Sequence, residues 1–316
     1  SHAASFALLV YASCWIKCHH PAEFLAAMIN SQPLGFYTPR QLVADAQRHG
    51  VTVLPVDVSH SDWDCTLHDL PGATPTVTPT VTPAVRLGLR LVNGLGPIAA
   101  RRLVQARARG PWRDVADLGH RAGLGSHELS LLAAADALSS LSGHRRQQMW
   151  DAVARHTPPA LLQEAPIAEP AVELPPAPEG EAIVWDHRST GLSLRRHPLA
   201  LLRPQLQARR LSTAAELAHA PDRRLVRHAG LVTLRQQPET AGGVMFVTLE
   251  DETGVVQAIV WRSLRERYRR ALMQSRLLAV YGVWQRDGEV CNLIAGRLEN
   301  LNPLLGRLAP GSRDFH

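Results

Sequence analysis

The chain has 316 residues, 45% of them hydrophobic, with 34 basic against 28 acidic side chains and a formal charge of +6. That length suggests two or three domains with ordinary cores, and no apolar run is long enough to span a bilayer, which excludes a membrane-spanning helix within it. The four cysteines, Cys14, Cys18, Cys65 and Cys291, are too scattered for a disulfide framework and fit a reducing cytoplasm.

The opening Ser1-His2-Ala3-Ala4-Ser5 has neither a Met nor a basic leader. Helical periodicity is already running at Phe6, Leu9 and Val10, so the chain is expected to begin inside a domain of something longer. Residues 3–31 read as two helices broken at His20-Pro21, with Ala22, Leu25, Ala26 and Ile29 as the second one's apolar stripe. Cys14 and Cys18 share a helix face. Without a second ligand pair at zinc spacing they read as buried thiols rather than a metal site. Thr38-Pro39 opens a third helix, with Leu42, Val43 and Ala46 inward and Gly50 as its stop. Val51–Val58 is β-like, and Asp57, Asp62 and Asp64 read as turn and cap residues. The Thr/Pro repeat of Thr74–Pro83 has no core-forming side chains and is expected as a flexible surface insertion.

The next stretch, Val92-Asn93-Gly94-Leu95-Gly96-Pro97-Ile98-Ala99-Ala100-Arg101-Arg102-Leu103-Val104, resembles the hairpin of helix-hairpin-helix DNA-binding proteins. The glycines allow a tight turn with positive φ, and Pro97 suits the first turn of a helix. The helix N-terminus then offers N–H groups to a phosphate, with Arg101 and Arg102 adding charge. Such a contact holds the backbone and reads no sequence. After a helix around Val115–Leu118, a second, degenerate hairpin is expected at Ala122-Gly123-Leu124-Gly125, with Ser126 as N-cap. From Arg86 to Arg146 ten Arg face four acids, as expected of a nucleic-acid-binding module or of solvated helix faces.

Residues 157–181 are rich in Pro, Ala and Glu and read as a linker; a short helical piece is expected over 198–219. From residue 225 the period changes. Arg227–Leu234, Val244–Leu249 and Val255–Trp261 read as strands, Leu264–Met273 as a charged helix, and Arg276–Val283 and Val290–Ile294 as a closing hairpin. Three strands, a helix and two strands is the order of an OB-fold barrel.

With these segments in order, the chain resembles the bacterial C-family DNA polymerases, the family of the polymerase III α subunit. Ser1, His2, Phe6, Ala7, Trp15, Ile16, Lys17, His20, Pro21, Glu23 and Phe24 resemble that family's fingers block. Thr190-Gly191-Leu192-Ser193-Leu194 and His197-Pro198-Leu199 resemble its segment before the OB domain, and Phe246–Gly254 its OB strand and turn. Asn30–Tyr37 and the ending Ser312-Arg313-Asp314-Phe315-His316 are similar to the error-prone branch, and that ending suggests a natural C-terminus.

The resemblance implies a C-terminal fragment of multidomain α+β class: a helical fingers part, a tandem helix-hairpin-helix domain and a C-terminal OB-fold barrel. The expected divisions are fingers over 1–70, a Thr/Pro insert over 71–85, hairpins over 86–156 and an acidic linker over 157–184. A pre-OB helical segment over 185–222, the OB-fold over 223–304 and a tail over 305–316 complete them. Expected DNA contacts are Gly94, Gly96, Arg101, Arg102, Gly123 and Gly125, with His2 and Lys17 in the fingers. Phe246, Trp261, Tyr281 and Trp284 are candidates to stack on single-stranded template, although alternation sends about half of them inward. Arg262, Arg265, Arg267, Arg269 and Arg270 on the barrel helix read first as a solvated face.

The resemblance places the palm carboxylates, their Mg²⁺ and the deoxynucleoside triphosphates outside this fragment, which needs no cofactor of its own. It implies duplex primer-template, single-stranded template and accessory mutagenesis proteins as partners, in the cytoplasm and away from any membrane. The competing reading is a stand-alone hairpin/OB DNA-binding scaffold without polymerase chemistry; an RNA-binding anticodon-type OB protein is a third.

Overall fold

A computed structural model describes residues 2–35, 37–69, 83–153, 172–239 and 242–306. The chain divides into two compact units, Ser1–Leu194 and Arg195–His316. Residues 71–82 of the expected Thr/Pro insert, most of the acidic linker and the terminal Ser-Arg-Asp-Phe-His block lie outside the described residues; Ala84 and Val85, expected in the insert over 71–85, are instead buried strand residues.

The first unit opens with helices α1 (His2–His19), α2 (Pro21–Asn30) and α3 (Pro39–Arg48). The break between α1 and α2 falls at His20, with Pro21 opening α2. Ala22, Leu25, Ala26 and Ile29 are the buried stripe of α2, and Thr38 closes a capping box with Gln41 on α3. α1 buries none of its residues among those described. Cys14 and Cys18, expected as buried thiols, are therefore exposed, because nothing described packs over their helix.

A small sheet follows, built from β1 (Val53–Leu54), β2 (Thr66–His68) and β3 (Ala84–Arg86) in the order β1-β3-β2. β3 runs parallel to β1 and antiparallel to β2. Strands of two or three residues are too short to show an alternating pattern, so only the first of them was legible in the sequence. A 3₁₀ turn (Leu89–Leu91) leads into α4 (Pro97–Arg107), α5 (Val115–Ala122), α6 (Ser126–Ala134), α7 (Ser139–Ser142), α8 (Arg145–Val153) and α9 (Glu179–Ser189). Leu103, Leu118, Leu129, Leu132 and Leu138 are fully buried in one core with Ile29 and Leu89. The expected linker ends earlier than 184, since residues from Glu179 onward are helical. Ala182, Ile183 and Val184 are buried there, and the Arg145 guanidinium binds the Ala182 carbonyl and the Asp186 carboxylate.

The second unit carries α10 (Pro198–Ala208) and α11 (Ala214–Ala218), so the expected segment 185–222 is divided between the two units. Then come β4 (Leu225–Gln236), β5 (Met245–Glu250), β6 (Val255–Val260), α12 (Arg262–Arg267), α13 (Arg269–Gln274), β7 (Leu277–Asp287), β8 (Val290–Asn300) and α14 (Asn302–Leu305). The strands close a barrel in the order β4-β5-β6-β8-β7, in which only the β6–β8 pair is parallel. That is the connectivity of an OB-fold. Strict alternation on β5 and β6 sends Met245, Val247, Leu249, Val256, Ala258 and Val260 inward.

Two apolar layers hold this unit. Inside the barrel lie Val247, Leu249, Val280, Trp284 and Leu293. Outside it, Leu199 and Leu206 of α10 and Leu305 of α14 cover Ala229, Leu277 and Ala279.

Candidate nucleic-acid interface

The first hairpin turns at Gly94, whose φ of +86° is strained for any residue with a side chain. A Cβ there would also meet Leu131 at 3.3 Å. Gly96 differs from the expectation of a positive φ. It is extended (φ −80°, ψ 152°), is the N-cap of α4, and has open space where a Cβ would project. No side chain caps α4, so its N-terminal N–H groups face outward past Gly96 and Pro97. Ile98 is 71% exposed beside them. Arg101, one turn on, is exposed and has no acid paired with it among the described residues. An uncapped helix N-terminus, a bare glycine and an unpaired cation are the features that suit contact with a phosphate oxygen.

The second hairpin is built differently. Gly123 takes the left-handed C-cap of α5 (φ 61°), and Gly125, not the expected Ser126, is the N-cap of α6. The Glu128 carboxylate accepts the Gly125 N–H at 2.8 Å and lies 3.7 Å from the Arg102 guanidinium. Arg102 also donates to the Gly123 carbonyl at 2.7 Å. The structure thus places Arg102, Gly123 and Gly125 in a lock between the two hairpins, with a carboxylate where the first hairpin stands open. A Glu three residues after the N-cap was the sequence signal for this arrangement.

Most other arginines of this module are struts. Arg90 binds Asp64 at 2.9 Å and Arg107 binds Asp62 at 2.5 Å. Arg121 bonds Asp117 and the carbonyls of Ala106, Gly110 and Pro111, and lies over the Trp112 ring. Arg146 pairs with Glu181 at 3.0 Å. Asp57 is buried, and its Oδ1 accepts the Ser59 N–H and the Ser140 hydroxyl. The described residues hold no group of three or more acids, His or Cys able to bind a metal. Asp57 thus serves its own turn, and Asp62 and Asp64 serve the two arginines.

His2 begins α1 and is exposed, whereas Lys17 pairs with Asp45 of α3 at 2.7 Å. On the barrel the four aromatic candidates separate. Trp284 is 3% exposed inside the barrel and is unable to stack on a base. Alternation on β7 turns it inward together with Leu278 and Val280. Tyr281 is half-buried between Arg297 and Arg227, at 4.9 and 5.9 Å from its ring centre, and its hydroxyl donates to Glu299. Phe246 and Trp261 remain on the outside. Phe246 is flanked by Gln236 of β4 and Ile259 of β6, and the next row is Leu234, Thr248 and Gln257. Trp261 is 53% exposed at the start of α12. Arg262, Arg267, Arg269 and Arg270 are exposed nearby, and Arg262 pairs with Glu266.

Comparison with known proteins gives the same two modules. Residues 50–148 match a helix-hairpin-helix motif and residues 226–301 an OB-fold nucleic acid binding domain. Along its whole length the chain is 55% identical to the error-prone DNA polymerases of Bordetella parapertussis and Burkholderia pseudomallei, and 53% identical to that of Alkalilimnicola ehrlichii. The chain spans about 30% of the length of these relatives. Among solved structures, asparaginyl-tRNA synthetase from Pyrococcus horikoshii matches 29% of this chain and 22% of its own at 23% identity and a TM-score of 0.25.

Proposed function

We propose that this chain is the DNA-holding part of a longer error-prone DNA polymerase, whose nucleotidyl transfer with Mg²⁺ and deoxynucleoside triphosphates is done by residues outside the described ones. The reading rests on identity to polymerases named error-prone over the full chain, together with the open first hairpin. In this reading Gly94, Gly96 and Arg101 hold duplex phosphates, and Arg102, Gly123 and Gly125 keep the two hairpins in register. The outer β5–β6 face takes single-stranded template through Phe246 and Trp261. His2 and Lys17 belong to a fingers region, and α1, apolar on all sides, is a helix suited to burial against the rest of the longer protein. No described helix is long and apolar enough to cross a membrane. Work in the cytoplasm on damaged template, alongside accessory mutagenesis proteins, completes the proposal.

The open space at Gly96 makes a clean test. Valine tolerates its extended backbone, so Gly96→Val is expected to keep the fold while its branches obstruct a phosphate. Duplex affinity should fall about tenfold, with a shallower dependence on salt. Anisotropy titrations over a salt series, with circular dichroism as the folding control, measure both. Unchanged affinity in a folded variant would show that the hairpin is only structural. For the whole protein, deleting its gene should lower damage-induced mutation and leave undamaged growth normal; loss of viability without damage would mark a replicative enzyme instead.

A further inference from the structure

The barrel has a second exposed face that the nucleic-acid reading does not use. It lies outside β4, β7 and β8, where two cross-strand rows run side by side. One is apolar: Leu225 pairs with Val283, and Val283 with Ile294. Leu225 is 81% exposed and Val283 36%. The other is cationic: Arg227 pairs with Tyr281, and Tyr281 with Arg297. Further along the same face α10 and α14 already cover Ala229, Leu277 and Ala279. The chain therefore packs its own apolar residues on one half of this face and leaves the adjoining half bare. An open groove of about 410 Å³ borders the apolar row, lined by Val283, Ile294, Arg223 and Arg286 among others.

We propose that this face docks an extended acidic peptide of a protein partner, with an aliphatic or aromatic anchor on Leu225, Val283 and Ile294. A carboxylate two residues from the anchor would reach Arg227 or Arg297, because adjacent same-face rows of a strand lie about 7 Å apart. Charge favours such an occupant. Arg227 has no acid paired with it among the described residues, and Arg209 and Arg297 share the single carboxylate of Glu299.

A peptide fits better than a nucleic acid. Base binding wants a free aromatic face, but Tyr281 lies between two guanidiniums and Trp284 faces the barrel interior. The proposal does not depend on what the β5–β6 face binds.

The test titrates the isotope-labelled 316-residue chain with two probes: a synthetic peptide in which Asp alternates with Leu and Phe, and a thymidine oligonucleotide. The peptide should shift amides of 225–227, 281–283 and 294–297, and the oligonucleotide those of β5 and β6. Leu225→Asp and Arg227→Glu, both at exposed positions, should weaken the peptide about tenfold or more and leave the oligonucleotide unaffected. The same peptide with Lys for Asp should not bind. Peptide shifts confined to β5–β6, an oligonucleotide that maps to β4–β7–β8, or no peptide binding at about 1 mM would each overturn the proposal. An oligonucleotide that binds nowhere on the barrel would count against the template role alone.

Discussion

Asp251→Ala is expected to unfold much of the barrel unit while the hairpin unit stays folded. The Asp251 side chain is fully buried at the turn between β5 and β6. It accepts the N–H groups of Thr253 at 2.8 Å, Gly254 at 3.0 Å and Ala214 at 2.8 Å, and the Thr253 hydroxyl at 2.7 Å. Arg203 of α10 lies 3.4 Å away and binds Glu252 as well. One carboxylate thus fixes the turn, the start of α11 and the arm from α10. Alanine would leave the buried Ala214 N–H without its acceptor, release the turn and take one carboxylate from the Arg203 guanidinium, at a cost of about 3–5 kcal/mol, a large share of a typical domain's stability of roughly 5–15 kcal/mol. Amide hydrogen exchange in the full chain would read it: strands 225–300 should lose protection while helices α4–α6 keep theirs. Unchanged protection of the strands would refute this role.

Acid should act on the same region in two steps. Burial pushes the His228 imidazole below its ordinary value of 6.5; its Nδ1 bonds the Ser212 carbonyl and its Nε2 has no partner among the described residues. The unfolded chain takes up that proton near pH 6.5 and the folded chain resists it, so stability declines as pH drops below about 6.5. For Asp251, burial works to raise the carboxyl, but the hydrogen bonds from Thr253 and Ala214 hold it below its ordinary 3.8. Its contribution is complete above that value and is lost as pH falls through the lower, folded one. The barrel's melting midpoint in the full chain should therefore fall in two stages, below about pH 6.5 and again below about 3.8; a midpoint unchanged through the first would refute the role of His228.

Gly282→Ala is expected to be nearly as damaging, for a reason of space alone. Gly282 sits at a bulge in β7, where the register to β8 shifts after Tyr281. A Cβ there would lie 1.9 Å from the Ile294 carbonyl oxygen and 2.8 Å from its carbon. Both belong to the β8 backbone, so the two strands must part instead of a side chain moving aside. Such overpacking costs about 3 kcal/mol or more, which should lower the barrel's melting midpoint by roughly ten degrees or more. Gly296 of β8 is the control, since a Cβ there meets its nearest neighbour, the Tyr281 carbonyl, at an ordinary 3.5 Å. Gly296→Ala should melt close to the parent chain. A Gly282→Ala chain that melts within about a degree of the parent would show that the strands yield easily.

The sequence by itself determined the order of modules, because the signals for them are local. The Pro21 break, the Thr38 cap, the Gly94 turn and the alternation on β5 and β6 each reside in a few adjacent residues. It also located the open hairpin, since Gly94, Gly96, Pro97 and Arg101 are neighbours in the chain. Tertiary structure alone decided which charges are available. Ten arginines between Arg86 and Arg146 look alike as sequence, but Arg90, Arg107 and Arg146 meet acids 26, 45 and 35 residues away. Whether a cation is free depends on partners that only folding brings near, and the same holds for the aromatics. Alternation groups Trp284 with Val280 on one side of β7, and Phe246 with Thr248 on one side of β5. The closure of the barrel decides that Trp284's side is the interior, and the packing of α10 and α14 decides how much of the outside stays bare.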